Sequence, residues 1–274
     1  MSLDVIILAA GQGTRMRSRL PKVLQPLAGR PLLSHVIDMA LGLDQARVHV
    51  VYGHGGEQVP ATFPDAPVHW IEQAEQLGTG HAVEQAMPGI DDQATVLVLY
   101  GDVPLITTAT LAGLLEMAAG GHLALLTVQL DDPTGYGRIV RDGDDRVLRI
   151  VEEKDASAAE RELNEVNTGI LAAPAARLRD WLARVGCDNS QGEYYLTDIV
   201  GLAVADAVRV DARIAASAEE VLGVNTKGQL AMLERHFQRD QAERLMGLSA
   251  TPGEPGQHRE PEGQGLAGAR LATT

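Results

Sequence analysis

The chain has 274 residues, enough for one large α/β domain, and its 45% hydrophobic content is that of an ordinary soluble globular protein. A formal net charge of -14 argues against a nucleic-acid-binding protein, which would need a basic surface. Cys187 is the single cysteine, so an internal disulfide is excluded, and we expect a cytoplasmic protein without a signal peptide or membrane insertion.

Apolar strands and amphipathic helices alternate from the start of the chain. Their order is VIILAA, LLSHVIDMAL, RVHVVYG, PVHWIEQ, GHAVEQAM, TVLVLYGD and TLAGLLEMA. The strands are continuous Val, Ile and Leu runs, which is typical of a parallel sheet buried on both faces. We therefore predict a doubly wound, mostly parallel α/β sheet over the first ~130 residues, with ligands at the carboxyl ends of its strands.

The second half of the chain has a different texture. From Asp131 to about Asn189 we expect short strands broken by turns, before helices return at AARLRDWLARV and YYLTDIVGLAVA. A long amphipathic helix follows in TKGQLAMLERHFQRDQAERLM, with Leu230, Leu233, Phe237 and Leu245 on one side. Residues 248–274 are rich in Gly, Pro and Glu, and we predict a disordered tail there.

A glycine loop, AAGQGTRM from Ala9 to Met16, follows the first predicted strand. Glycines at this place let the backbone approach a polyphosphate and direct its N–H groups at it. The P-loop pattern is not matched, and Met16 stands where the dinucleotide fingerprint has a third glycine or alanine. A plain strand-to-helix turn is the alternative, but the nearby cations Arg15 and Lys22 favour a phosphate loop.

Three charged side chains are the first candidates for chemistry. Arg15 and Lys22 stand in an otherwise acidic chain, where they can neutralise phosphate charge, although a solvated basic helix start is the alternative. Asp102 ends the run TVLVLYGD, so we expect it at the carboxyl edge of the sheet. A carboxylate oxygen at that edge is a suitable ligand for Mg²⁺.

Further motifs along the chain resemble one known family. The glycine loop with Pro21-Lys22 looks like the signature of the sugar-nucleotide pyrophosphorylases. Other matching motifs are QAEQLGTGHA, YGDVPL, DDPTGYGR, EEKD, NTG, QGEYY and GVN. Together they resemble the uridylyltransferase domain of the GlmU family, which are bacterial bifunctional UDP-N-acetylglucosamine pyrophosphorylases and glucosamine-1-phosphate N-acetyltransferases.

The resemblance implies a fold and a division of the chain. The fold is the three-layer, Rossmann-like fold of the nucleotide-diphospho-sugar transferases, also described as GT-A-like, with a mostly parallel, mixed sheet. Residues 1–225 would form the nucleotidyltransferase domain and residues 226–247 a long linker helix, with the tail beyond.

The resemblance also implies a reaction. A uridylyl group would pass from UTP to N-acetylglucosamine 1-phosphate, giving UDP-N-acetylglucosamine and pyrophosphate for peptidoglycan and lipopolysaccharide precursors. Such in-line transfer needs positioning and charge neutralisation more than a protein nucleophile. Arg15 and Lys22 match the catalytic cations, while Asp102 and Asn225 match the pair that holds Mg²⁺. Asn225 precedes a predicted helix, so a simple N-cap is the alternative for it.

The remaining matched positions divide between the two ends of the product. The nucleotide side would be formed by the phosphate and base contacts Leu8, Ala9, Ala10, Gly11, Lys22, Gln73 and Gly78. The amino sugar would be held by Glu152, Asn167 and the backbone of Gly137, with Tyr100 and Thr79 lining the same pocket. Gly101 and the two metal-binding positions, Asp102 and Asn225, would complete the substrate-binding residues. For Glu152 the alternative is one charge on a solvated turn.

The chain departs from the family after residue 247. The tail shows no hexapeptide period, so we expect acetyl transfer to be absent and do not assume the family's trimer. Three other functions remain open. These are a related nucleotidyltransferase for another base or sugar, an NAD-dependent oxidoreductase, and a non-catalytic nucleotide-binding module.

Overall fold

The Val, Ile and Leu runs form strands, as their composition predicts. The computed structural model of the chain describes residues 2–11, 13–53 and 55–247. The strands in these ranges are β1 Leu3–Leu8, β2 Pro26–Leu27, β3 Arg30–Pro31, β4 Ala46–Gly53, β5 His69–Gln73, β6 Thr95–Tyr100, β7 Leu123–Gln129, β8 Arg138–Arg141, β9 Val147–Val151, β10 Glu165–Pro174 and β11 Val210–Ile214.

Helices connect most of these strands. They are α1 Leu32–Leu41, α2 Gln58–Thr62, α3 Thr79–Ala86, α4 Thr108–Ala118, α5 Ala158–Arg161, α6 Ala175–Leu182, α7 Asp198–Ala205, α8 Ala218–Val221 and α9 Lys227–Leu245. Short 3₁₀ turns occupy Thr14–Met16, Lys22–Leu24 and Met87–Gly89. The described part of the chain holds no helix long and apolar enough to cross a membrane.

One large mixed sheet organises the protein. Its strand order is β11-β7-β10-β6-β1-β4-β5, with β8 paired to β10 and β9 paired to β8. β1 runs parallel to β4 and β6, and β5 runs parallel to β4, whereas β10 is antiparallel to both β6 and β7. The predicted three-layer α/β fold with a mostly parallel, mixed sheet is therefore confirmed.

Side chains of β1 alternate between the two faces of the sheet. Val5 and Ile7 belong to a core cluster that includes residues of α1 and α4, while Ile6 and Leu8 belong to a second cluster that includes residues of α3, α6 and α7. All six residues of β1 are buried. Because both faces are covered, a strand of continuous apolar residues is stable at this central position.

The register of the parallel strands brings their carboxyl ends to one edge. Leu8 at the end of β1 lies beside Val51 of β4 and Tyr100 of β6, and Gly53 of β4 lies beside Gln73 of β5. The loops that follow these strands contain the glycine loop and the predicted base and metal contacts. The edge where ligands were expected is therefore built from four neighbouring strands.

Two helices differ from the sequence prediction. The helix expected from Tyr194 begins only at Asp198, because the backbone before it hydrogen-bonds to the loop around Gly78 instead. α9 has the expected length, but its Leu233 is buried whereas Leu245 is 88% exposed. The described residues through Phe237 form one compact unit, and those from Gln238 to Gly247 belong to a separate one. The predicted tail lies outside the described residues, and the predicted domain limits remain a prediction.

Candidate active site

A cavity of about 470 Å³ opens at the carboxyl edge of β1, β5 and β6. Its lining contains ten of the predicted site residues, namely Leu8, Ala9, Ala10, Gly11, Lys22, Gln73, Gly78, Thr79, Tyr100 and Asp102. The other lining residues are Val23, Gln76, Ala82 and Glu193. The fold thus gathers residues from the first 102 positions of the chain into one cavity, with Glu193 added from far along it.

The remaining predicted residues lie outside this lining, and all of them except Arg15 contact its members or one another. Asn225 contacts Lys22, and Gly101 donates its backbone N–H to the Leu8 carbonyl. Asn167 donates its backbone N–H to the carbonyl of Gly137. Glu152 lies beside Gly137, as described below. Arg15 is exposed on the 3₁₀ turn after the glycine loop.

Met16 anchors the glycine loop. Its side chain is 1% exposed and packs in a small cluster with Leu27, Leu32, Val224 and Leu233. Its apolar side chain therefore ties the loop to the residue directly before Asn225. A Gly or Ala at position 16, as in a dinucleotide fingerprint, would leave a cavity in this cluster.

Gly13 lets Lys22 lie close against the loop. Gly13 has a φ of +60°, and a Cβ at this position would stand 2.6 Å from the Lys22 Cβ. A glycine is therefore required here both for the left-handed backbone and for space. The backbone of Lys22 therefore lies directly beside the glycine loop, and Lys22 lines the cavity.

The Lys22 ammonium lies between the two predicted metal ligands. Its Nζ is 2.6 Å from Asp102 Oδ2 and 3.2 Å from Asn225 Oδ1. The Lys22 and Asp102 side chains are 14% and 9% exposed, so the pair is largely shielded from solvent. A carboxylate oxygen and an amide oxygen thus converge on one cationic position, although Asn225 is 123 residues beyond Asp102 in sequence.

Asn225 does not cap the last helix. Thr226 does so, because its Oγ1 accepts the backbone N–H of Gln229, while Gln229 Oε1 accepts the N–H groups of Thr226 and Asn225. This reciprocal capping arrangement leaves the Asn225 side-chain oxygen directed at Lys22. The N-cap alternative for Asn225 is therefore wrong, and Gln229 is a supporting residue that the sequence analysis missed.

The donor set at this position fits a divalent cation with few protein ligands. Asp102 and Asn225 supply two hard oxygens, and a Mg²⁺ ion prefers such oxygens completed by phosphates and water. In the described part of the chain, no three His, Cys, Asp or Glu side chains are grouped to hold a metal. A dedicated protein cage is therefore not what these residues offer.

Gln73, which is predicted to contact the base, is almost completely buried. Its Nε2 donates to the Gly78 carbonyl at 3.0 Å and lies 3.1 Å from His81 Nδ1. The amino group of the amide is thus engaged within the protein, and the side-chain oxygen is the part that can accept a hydrogen bond from a ligand. The Gln73 amide can therefore accept a hydrogen bond from a ligand, but its amino group is not available to donate one as well.

Gly78 is required by the protein backbone itself. Its φ is +115°, and a Cβ would stand 2.6 Å from the Tyr194 carbonyl oxygen. Tyr194 donates its N–H to Leu77 and accepts the N–H of Gly80, and Thr79 Oγ1 accepts the N–H of Leu196. An extended segment before α7 therefore packs directly against this loop.

On the sugar side, Glu152 lies close to Gly137. A Cβ on Gly137 would stand 3.4 Å from both Glu152 carboxylate oxygens. Burial raises the pKa of Glu152 above its usual value, and the negative charges of Asp198, Asp155 and Glu193 raise it further, whereas a hydrogen bond from Thr197 opposes them. Glu152 is only partly exposed, so it is more than one charge on a solvated turn.

Two tyrosines lie near the charged groups of the cavity. Burial, followed by the charges of Glu152 and Asp102, raises the pKa of Tyr100. The pKa of Tyr136 is raised by burial and by Asp102, and lowered by Arg15. Asp102 and Arg15 therefore both lie near enough to Tyr136 for their charges to act on its hydroxyl.

Most of the chain is similar to known proteins. The family model described as the MobA-like NTP transferase domain matches residues 5–189. The bifunctional protein GlmU of Aromatoleum aromaticum is 62% identical over 253 residues, covering 92% of this chain and 56% of that protein. The GlmU protein of Azoarcus sp. is 61% identical over 244 residues, covering 89% and 54%. The chain spans about half the length of these curated relatives.

Solved structures share the fold. A UDP-glucose pyrophosphorylase complexed with UDP-glucose superposes with a TM-score of 0.69 at 15% identity, over 88% of this chain and 100% of that one. A nucleotidyl transferase from Methanothermobacter gives a TM-score of 0.62 at 21% identity, over 87% and 99%. At these identities the likeness concerns the fold alone.

Proposed function

The chain belongs to the MobA-like NTP transferase domain family, and we propose that it is the N-acetylglucosamine-1-phosphate uridylyltransferase that its motifs imply. The proposed reaction joins UTP and N-acetylglucosamine 1-phosphate to UDP-N-acetylglucosamine, with release of pyrophosphate, in the cytoplasm. The observation that carries the proposal is the convergence of Lys22, Asp102 and Asn225 beside the glycine loop. High identity to the two GlmU proteins supports the same substrates.

The nucleotide would lie along the edge formed by β1 and β5. Backbone groups of Leu8 to Gly11 are close enough to line its phosphates, and the Gln73 oxygen can accept the N–H of a uracil ring. A cytosine ring offers no N–H at that ring position, so a single accepting oxygen favours uracil or thymine. The choice between these two bases would then depend on the space beside the ring.

The negative charge of the phosphates would be neutralised by two cations, one within the glycine loop and one shortly after it. Lys22 lies inside the cavity, and Arg15 lies exposed near Tyr136. Two anionic substrates must approach each other, and the leaving pyrophosphate gains negative charge, so fixed cations stabilise the transition state more than the ground state. With this charge neutralised, the remaining task of the side chains at the cavity would be to hold the attacking and leaving phosphate groups in line.

Asp102 and Asn225 would hold a Mg²⁺ ion. The protein contributes two oxygens at the place where the Lys22 ammonium now lies, which is a position built to hold positive charge. When bound, Mg²⁺ would neutralise phosphate oxygens and orient them for attack. Gln229 would keep Asn225 in place through the backbone N–H that it accepts.

The amino sugar would be held on the other side of Tyr100. Glu152 and the backbone of Gly137 lie together there, and Asn167 hydrogen-bonds to Gly137. A carboxylate accepts hydrogen bonds from sugar hydroxyls, and the amide of Asn167 can serve an acetamide group. These roles rest on the positions that the motifs share with the family.

A substrate panel tests the proposal. Pyrophosphate release would be measured with each nucleoside triphosphate against several sugar 1-phosphates, with and without Mg²⁺, using Asp102→Asn as the matched inactive control. We expect UTP with N-acetylglucosamine 1-phosphate to be the preferred pair. A preference for dTTP with glucose 1-phosphate would replace this function by a related one, and tight NADH binding without turnover would overturn it.

A further inference from the structure

Thr197 precedes the first residue of α7 but does not cap that helix. Its side chain makes no hydrogen bond to the helix backbone. The backbone of Thr197 is itself helical, with φ -62° and ψ -22°, so its hydroxyl is not placed to accept an N–H of the first turn. Here the Thr197 hydroxyl instead lies 2.9 Å from Glu152 Oε1, on a residue 45 positions away in sequence.

The direction of this hydrogen bond is determined by chemistry. An ionised carboxylate can only accept, so the Thr197 hydroxyl donates to Glu152. Three further carboxylates, those of Asp198, Asp155 and Glu193, lie near enough to disfavour the charge on Glu152, in addition to its burial. The hydrogen bond from Thr197 therefore opposes the rise in the pKa of Glu152 and fixes the position of its Oε1.

The position of Thr197 is in turn set by the base-side loop. The preceding residues, Tyr194 to Leu196, form three hydrogen bonds with the segment from Leu77 to Gly80. Leu196 and Thr197 form the turn that leads into α7, because the carbonyls of Tyr195 and Leu196 accept the N–H groups of Asp198 and Ile199. The segment from Tyr194 to Thr197 therefore contacts the loop Leu77 to Gly80 at one end and Glu152 at the other.

We propose that Thr197 is a positioning residue that holds the Glu152 carboxylate toward the sugar. Through the residues before it, Thr197 also fixes the position of Glu152 relative to the loop Leu77 to Gly80. The inference rests on the proposed function, since it assigns Thr197 a task in recognising the sugar phosphate. It goes beyond that function because Thr197 acts through Glu152, and not by charge neutralisation or metal binding.

Three variants test this role. Thr197→Val keeps the shape of the side chain without the hydroxyl, and Thr197→Ser keeps the hydroxyl. Steady-state kinetics would be measured for N-acetylglucosamine 1-phosphate and for UTP, together with the pH dependence of kcat/KM for the sugar phosphate. Glu152→Gln serves as a comparison, because it removes the titrating carboxylate itself. Thermal melting of each variant checks the fold.

The expected result is specific to the sugar side. Thr197→Val should raise the KM for the sugar phosphate about tenfold while the KM for UTP changes less than twofold, since a hydrogen bond to a charged group is lost. Removing the donor raises the pKa of Glu152, so the acid limb of kcat/KM should move about one pH unit upward. Thr197→Ser should restore both values, and Glu152→Gln should lack this acid limb.

Different outcomes separate the two proposals. If the wild-type protein does not turn over this substrate pair, the proposed function and the role of Thr197 both fail. If the wild-type protein is active and Thr197→Val keeps the wild-type pH profile and sugar KM, only the role of Thr197 fails. An equal rise of both KM values, or failure of Thr197→Ser to restore the wild-type values, would also overturn it, because a general disturbance of the fold would then be the cause.

Discussion

Replacing Asp102 by Asn should lower both the free energy of unfolding and Mg²⁺-dependent turnover, and a second substitution should then restore only the free energy of unfolding. Asn has nearly the size of Asp, so the cavity keeps its shape, but the partner of the Lys22 ammonium becomes neutral. Nζ of Lys22 would then retain Asn225 Oδ1 at 3.2 Å as an acceptor, without a counter-charge at 2.6 Å. The variant should therefore leave a largely buried cation poorly compensated.

The magnitude follows from how shielded the pair is. Removing one partner of a fully buried ion pair costs about 3–5 kcal/mol. Here both side chains keep some solvent contact and one acceptor remains, so we expect a loss of about 1–3 kcal/mol in the free energy of unfolding. For a protein of this size that loss corresponds to several degrees in Tm.

A second substitution tests the cause. Lys22→Met in the Asp102→Asn background removes the uncompensated cation while keeping a similar side-chain volume. We expect urea unfolding at neutral pH to show most of the lost stability restored, while both variants lack Mg²⁺-dependent turnover. If the double variant is no more stable than Asp102→Asn, the ion-pair explanation is wrong. If Asp102→Asn keeps normal Mg²⁺-dependent turnover, its role as a metal ligand is wrong.

Three further predictions concern the loop, the pH dependence and the catalytic cation. Gly78→Ala should lower the free energy of unfolding by about 1–3 kcal/mol, because its backbone is left-handed and a Cβ would approach Tyr194, whereas Gly143→Ala, in open space, should be neutral; equal melting curves would contradict this. Burial lowers the pKa of His49, so its contribution to stability is present above about pH 6.5 and is lost as pH falls through the folded pKa; denaturant titrations of His49→Gln should show a shallower loss, by up to about 1.4 kcal/mol per pH unit. Arg15→Ala should lower kcat about tenfold to a hundredfold with little change in the sugar KM, and the opposite split in steady-state kinetics would remove Arg15 from the chemical step.

Much of the fold could be predicted from local sequence patterns. Residues 5–8 of β1 and 96–99 of β6 are continuous apolar runs, and their burial on both sides of the sheet follows from that composition. Asp102 could be placed at the carboxyl edge because it directly follows such a run. The antiparallel insertion of β10 between β6 and β7 could not be predicted, because strand order depends on contacts between distant segments.

The helix predicted from Tyr194 shows why some local patterns fail. Many of its residues are apolar and would suit a helix, but the backbone of Tyr194 and Leu196 makes hydrogen bonds with the segment from Leu77 to Gly80. Two glycines in that loop give the room for this close approach. A tertiary interaction therefore outweighs the local helical preference.

By itself the sequence determined the alternating α/β architecture and the glycine loop. It also determined the cation Lys22 shortly after that loop and the carboxylate Asp102 after a strand, because these features depend on periodicity and on neighbouring residues. Only the tertiary structure decided that Asn225, 203 positions after Lys22, directs its side-chain oxygen at the same point. It also decided that Thr197 gives its hydroxyl to Glu152 rather than to its own helix. These contacts join residues that are distant in sequence and come together only when the chain is folded, so local sequence patterns cannot predict them.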